Sequence, residues 1–222
     1  MARLRINPEA EDILDKSEFI IEKDQVSSPF FSRKLYKNNN KIILEIGMGK
    51  GKFILEQAIL HQNINYLGIE KSATILLQAI NKLLRYNQEH KVQLKTLKFL
   101  KMDASELDSF FPLQSVEGIY LNFSDPWPKS RHQKRRLVYK DFLDKYFNIL
   151  KANGFIEFKT DQEELYEFAL SQINEFTKFK ILELEDDLHQ IKNDVIMTEY
   201  EDKFSKLGHK IYYLKLIKKE EE

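Results

Sequence analysis

Ile42-Ile43-Leu44-Glu45-Ile46-Gly47-Met48-Gly49-Lys50-Gly51-Lys52-Phe53 joins a short apolar run to a helix-like segment through three glycines at alternate positions. A run of this length, bounded by glycine, predicts a buried strand. Glycine adopts positive φ without a steric penalty and lets a ligand approach the backbone, while the helix start offers unpaired amides. The segment therefore predicts the ligand-binding turn of an α/β fold. A tight turn that holds nothing fits the same residues, as does a dinucleotide fingerprint with another third-glycine spacing.

The chain continues in the same manner beyond this turn. Tyr66–Glu70, Leu97–Met102, Val116–Asn122 and Phe155–Lys159 read as strands, with two late ones near Lys180–Leu184 and Lys210–Ile217. Phe53–Leu60, Ser72–Arg85, Leu137–Leu150 and Glu163–Glu175 read as helices. In the second, Ile75, Leu76, Ala79, Ile80, Leu83 and Leu84 share one face; Asn153-Gly154 closes the third. Strand alternating with helix predicts an α/β fold, a mostly parallel sheet of seven strands with helices on both faces. Residues 1–40 show no clean period, contain Pro8 and Pro29 and end in Asn38-Asn39-Asn40. They are expected to form an arm packed on a single domain of residues 41–222. Glu220-Glu221-Glu222 reads as a frayed tail.

With 222 residues, 42% of them hydrophobic, one core of ordinary size is expected. Lys plus Arg equals Asp plus Glu at 35 each, so any nucleic-acid face must be local. The absence of cysteine removes disulfides, thiolate metal sites and cysteine nucleophiles, and fits a cytoplasmic address. Met1–Ile6 leads into Glu9, Glu11, Asp12 and Asp15 rather than an apolar stretch, so no signal peptide and no membrane association are expected. The five histidines, at 61, 90, 132, 189 and 209, have no ligand spacing, so no metal is expected; a nucleophile elbow is also lacking.

Acids recur where strands end. Glu70 ends the second strand, about 20 residues past the glycines, where a carboxylate can accept both hydroxyls of a ribose. Asp103 ends the third, where it could meet an adenine edge. A single such acid is commonly a helix cap, but a series along one sheet edge fits a nucleoside. Glu45, just before the turn, suits a cationic amino or sulfonium group and would repel pyrophosphate, which argues against a nicotinamide-dependent oxidoreductase. The arrangement resembles the class I methyltransferase fold, whose acid-Gly-x-Gly-x-Gly turn holds S-adenosylmethionine and leaves S-adenosylhomocysteine as product. The resemblance implies a Rossmann-like sheet with an antiparallel last strand, and a cofactor pocket lined by Glu45, Gly47, Gly49, Glu70, Asp103 and Asp125.

The second informative stretch is Asn122-Phe123-Ser124-Asp125-Pro126-Trp127-Pro128-Lys129-Ser130-Arg131-His132-Gln133-Lys134-Arg135-Arg136. Two prolines stiffen the loop around the chain's single tryptophan. Trp127 can equally be a core or lid aromatic, and Asp125 a loop-starting residue bonded to the next turn. Five of the eight residues from Lys129 to Arg136 are Lys or Arg, a run that serves either as a solvated face or as phosphate contacts. DNA base methyltransferases commonly carry Asn/Asp-Pro-Pro-Tyr here. Asp125-Pro126-Trp127-Pro128 followed by Lys129 instead closely resembles the tRNA (guanine-N7)-methyltransferase family, and the likeness covers most of the chain. Phe158-Lys159-Thr160-Asp161 and Thr198-Glu199-Tyr200-Glu201 add to it, although Thr198-x-x-Glu201 also reads as a capping box.

The resemblance implies methyl transfer to N7 of a guanine in the variable loop of tRNA, with Asp125 as the catalytic residue. Lys129, Asp161, Thr198, Glu199, Tyr200 and Glu201 would line the substrate pocket. Arg131, His132, Gln133, Lys134, Arg135 and Arg136 would contact the RNA. The expected partner is tRNA, the expected state a monomer or homodimer. Another RNA base methyltransferase of the same fold, or a tRNA-binding module without catalysis, is the alternative.

Overall fold

The apolar runs pair into one sheet of eight strands: β1 (Ile20–Ile21), β2 (Lys41–Ile46), β3 (Ile64–Glu70), β4 (Leu97–Lys101), β5 (Val116–Asn122), β6 (Leu150–Thr160), β7 (Phe179–Glu185) and β8 (Tyr212–Lys218). The computed structural model describes residues 6–28, 31–192 and 194–220; Arg3-Leu4-Arg5 of the arm, Pro29, Glu221 and Glu222 lie outside them. The order is β1-β4-β3-β2-β5-β6-β8-β7. All pairings are parallel except those of β8, which is antiparallel to both β6 and β7. Seven strands are the expected ones. The eighth, β1, corrects the count: two residues carry no period, and Ile20 and Ile21 are extended only because they pair with Phe99 and Leu100 of β4.

Nine helices lie among the described residues: α1 (Ala10–Leu14), α2 (Phe31–Tyr36), α3 (Lys52–Leu60), α4 (Ala73–His90), α5 (Leu107–Phe110), α6 (Lys140–Ile149), α7 (Glu163–Glu175), α8 (Leu188–Ile191) and α9 (Glu199–Ser205). Side chains of a strand alternate between its faces. Ile42, Leu44 and Ile46 of β2 accordingly enter one core with Phe31, Leu143, Tyr146 and Leu165. Ile43 enters the other with Phe53, Leu76, Ile80 and Leu83. Burial on both faces explains why these strands read as continuous apolar runs. The arm contributes Leu14 and Phe19 to the second core and Ile21, Val26 and Tyr36 to the first; the Tyr36 hydroxyl donates to the Tyr66 carbonyl at 2.7 Å.

Two boundaries differ from expectation. α6 begins at Lys140 rather than Leu137, because Ser130–Arg135 winds as a 3-10 helix and a turn follows it, closed by the Tyr139 amide on the Arg136 carbonyl at 2.9 Å. β6 starts at Leu150, opposite Val116, and carries Asn153-Gly154 inside it, where the register with β5 shifts. These two residues form an irregularity in the strand rather than a turn before it.

Gly118 of β5 faces the ring of Phe155, and a Cβ built there would lie 2.3 Å from that ring. Gly118→Ala should therefore overpack the β5–β6 contact and cost about 1–3 kcal/mol. Thermal denaturation reads this directly; an unchanged Tm would mean that Phe155 swings aside freely.

Candidate active site

The turn after β2 needs its glycines. Gly47, Gly49 and Gly51 have φ of +72°, +56° and +72°, a region that costs any residue with a Cβ. The Gly47 and Met48 amides donate to the Ile69 carbonyl at 2.9 and 3.2 Å, which ties the turn to the end of β3.

Glu45 is buried beneath this turn. Its Oε1 accepts a hydrogen bond from Asn122 Nδ2 at 2.9 Å, while its Oε2 and Asn122 Oδ1 have no hydrogen-bond partner. Burial pushes the Glu45 carboxyl up to about 8, against the opposing pull of the Asn122 hydrogen bond and the Lys159 charge. Glu70 accepts from the Ser72 amide at 3.0 Å; burial raises its pKa, and backbone hydrogen bonds from Ser72, Lys71 and Gly49 oppose the shift. Asp103 caps a 3-10 turn, accepting the Ser105 amide at 2.9 Å and hydroxyl at 2.7 Å, and these bonds hold its carboxyl below the usual range. The helix-cap role is thus realised, on one of its oxygens.

These acids open onto two connected cavities. The larger, about 740 Å³, is lined among others by Gly47, Glu70, Asp103, Asp125, Trp127 and Arg135. The smaller, about 380 Å³, runs between Glu45 and the glycine turn on one side and Thr198, Glu199 and Tyr200 on the other. Gly47 and Phe123 line both, so the two form one cleft along the carboxyl edge of β2 to β5.

Asp125 is exposed at the rim of the larger cavity. Phe123 and Trp127 flank it with φ of +51° and +41°, so the backbone holds this loop in conformations that side chains disfavour. Trp127 is half-buried, neither core nor free lid. Arg135 lies over its ring at 4.9 Å and His132 meets it edge-on at 5.7 Å. Lys134 also lines the cleft, whereas Lys129, Arg131 and Gln133 stand outside both cavities. Arg136 departs from the surface role that the cation run implied: it is 8% exposed, donates to the Trp127 carbonyl at 3.2 Å and lies over Phe168 at 4.2 Å. A guanidinium in that position braces the loop from below.

On the opposite wall, Thr198 and Glu201 form the capping box: the Glu201 amide donates to Thr198 Oγ1 at 2.9 Å and the Thr198 amide to Glu201 Oε2 at 3.3 Å. Glu201 is fully buried, so it supports the wall rather than facing the cleft. The Tyr200 hydroxyl donates to Asp161 Oδ2 at 3.0 Å, and its pKa is pushed up to about 12 by burial and by that bond. Asp161 stands just outside the two cavities but joins the site through Tyr200. Glu199 pairs with Lys82 and, at 3.9 Å, with Lys50. Sequence reasoning missed Asn122, Phe123 and Lys159. Asn122 had one usable signal, its place at the end of a strand whose neighbours end in acids.

A sequence-family model described as "Putative methyltransferase" matches residues 39–214. The chain is 38% identical to a tRNA (guanine-N(7)-)-methyltransferase of Lachnoclostridium phytofermentans, over 99% of this chain and 100% of that protein. It is 42% identical to one from Bacillus cytotoxicus, over 95% of this chain and 94% of that protein. The chain belongs to the tRNA (guanine-N(7)-)-methyltransferase family. Among solved structures, the methyltransferase resembles a 16S rRNA (adenine(1408)-N(1))-methyltransferase from Catenulisporales acidiphilia, solved with its cosubstrate SAM, at a TM-score of 0.59 and 12% identity. That match covers 87% of this chain and 92% of that one, a likeness of fold. No described helix of the methyltransferase is long and apolar enough to cross a membrane.

Proposed function

We propose that the cleft holds S-adenosylmethionine and that Asp125 and the walls around it present N7 of a guanine in the variable loop of tRNA to its methyl group. The observation that carries this reading is the pair of unpartnered buried acceptors, Glu45 Oε2 and Asn122 Oδ1, in the same cleft as Glu70 and Asp103. A buried carboxylate oxygen that completes no hydrogen bond, with the Ile54 amide the one further donor near the carboxylate among the described residues, calls for a cationic ligand, and the amino group of S-adenosylmethionine fits it. Glu70 would accept the ribose hydroxyls and Asp103 would stand at the adenine. When bound, S-adenosylmethionine supplies a methyl group on a sulfonium, which passes to N7 and leaves S-adenosylhomocysteine and 7-methylguanosine.

Guanine N7 carries an in-plane lone pair and no proton, so the chain must align the base rather than deprotonate it. The ring gains a positive charge, which the Asp125 carboxylate stabilises electrostatically. Asp161 and Tyr200, already hydrogen-bonded to each other, would accept from N1–H and the exocyclic amine, a donor pair that adenine lacks. A variable-loop base is exposed, so little duplex need be opened. The protein acts as a monomer or a homodimer in this reading, and a tRNA substrate accords with a cytoplasmic address.

The test is transfer of label from methyl-labelled S-adenosylmethionine to unmodified tRNA transcripts, followed by nucleoside analysis. Labelled 7-methylguanosine, lost when the variable-loop guanine is replaced, is expected. Label in another nucleoside would replace the guanine reading with another base. No label despite tRNA binding would replace catalysis with a binding module.

Arg131, Lys134 and Arg135 are exposed, so they form the phosphate-contacting face in this reading. Their joint replacement by Ala should raise the tRNA KM and reduce the slope of log Kd against log salt by roughly 2–3. An unchanged slope would make the run a solvated face. Arg136→Ala should act differently, lowering Tm more than it changes that slope.

A further inference from the structure

Lys159 is a buried cation that this chemistry leaves unused. It is 3% exposed, at one end of a row of side chains that crosses β2, β5 and β6. Asn122 of β5 stands opposite it in register, and Asn122 in turn donates to Glu45 of β2. From that row the Lys159 ammonium reaches the other wall of the cleft. It donates to both Glu201 oxygens, at 3.1 and 3.2 Å, and to the Ile196 carbonyl at 3.2 Å. The Phe53 ring covers it at 5.4 Å. Glu201 is the carboxylate that caps α9, and Thr198, Glu199 and Tyr200 line the smaller cavity directly before and within that cap.

We propose that Lys159 is a positioning residue that couples the two walls of the cleft, fixing the 196–201 segment through Glu201 and Ile196 while supporting the Glu45 carboxylate from the same buried position. The proposal rests on the reading of the cleft as the S-adenosylmethionine site. Removing one partner of a buried ion pair leaves the other charge uncompensated, which makes such a pair a strong determinant of local structure. The groups that face it are few. Glu201 comes from α9, Glu157 from its own strand and Glu45 from β2. His189 Nε2 of α8 lies 3.2 Å from Glu201 Oε1 without aligning for a hydrogen bond. Around Glu45 stand Asn122 and Tyr120 of β5 and the Ile54 amide of α3.

Two mutations separate coupling from mere support. Lys159→Met removes the cation from Glu45, so the carboxylate becomes harder to form. Glu201→Gln removes the anion that keeps the buried Lys159 protonated, so Lys159 sheds its proton more readily and the Glu45 carboxylate again loses support. Both loosen the α9 segment. The experiment measures S-adenosylhomocysteine affinity by calorimetry from pH 6 to 9, and amide hydrogen exchange of residues 196–205 in the ligand-free proteins. The pH midpoint for binding should move up by about one unit in Lys159→Met and, by less, up in Glu201→Gln, with exchange at least about tenfold faster in both. Lys159→Arg should preserve much of each property. Midpoints that stay put or move down would overturn the coupling, and unchanged exchange would overturn the anchoring. If the unmodified protein fails to bind S-adenosylhomocysteine, the cofactor reading and the coupling to Glu45 both fall, and the exchange data still decide the anchoring.

Discussion

Asp125→Asn should reduce kcat for tRNA methylation by roughly a hundredfold or more while leaving the affinity for S-adenosylhomocysteine within about twofold. Asparagine keeps the shape and an acceptor oxygen, so the loop held by Arg136 and the two prolines should be undisturbed. What is lost is the negative charge facing a ring that becomes positive only as the methyl group arrives. A charge that acts on the transition state and not on the neutral base lowers kcat and kcat/KM together. Single-turnover methylation with saturating tRNA isolates this step. Full activity in the Asn variant would remove Asp125 from the chemistry, and a large loss of cofactor affinity would reassign it to the other cavity wall.

The second large effect is expected at Glu45. With its carboxyl pushed up to about 8 in the free protein, most molecules at neutral pH hold this residue protonated. A cationic amine needs the carboxylate, so binding must release a proton below that pH, and S-adenosylhomocysteine affinity should climb toward pH 8. Glu45→Gln should abolish this climb and weaken binding by roughly tenfold or more near pH 8. Calorimetry in buffers of different ionisation enthalpy counts the proton; a pH-independent affinity in the unmodified protein would refute the assignment. Stability runs in the opposite sense. A carboxyl whose folded pKa lies above its ordinary 4.5 contributes stability that is complete below 4.5 and is lost as pH rises through about 8. The ligand-free Gln variant should therefore melt higher than the original at pH 9.

Much of this arrangement was legible because it rests on local patterns. Strands buried on both faces advertise themselves as apolar runs, and three glycines at positive φ can hardly be replaced by anything else. The cation run shows the limit. Nothing in Lys134-Arg135-Arg136 distinguishes the residue that turns inward, which depends on Phe168 of α7 and on the Trp127 carbonyl. Lys159 was hidden for a similar reason. A lysine in an alternating strand reads as solvent-facing, and its partner Glu201 lies 42 residues away with three elements between them. β1 was invisible because its extension comes from β4, not from its own residues.

The place of β8 has a consequence for how the cleft comes into being. In chain order the strand comes last, yet in the sheet it separates β6 from β7, so β7 reaches the rest of the sheet only through it. Residues 186–211, which include the capping box and the segment above the glycine turn, are a closed loop between these two neighbours. A nascent chain can assemble β2 to β6 and the acids of the larger cavity while the far end of this loop still hangs free. The wall opposite Glu45 is already tied to β6, since Lys159 donates to Glu201 and Ile196, and its far end is fixed when β8 enters the gap. A ribosome-bound fragment that has not released Tyr212–Lys218 thus has a floor for its ligand and a second wall held by one end.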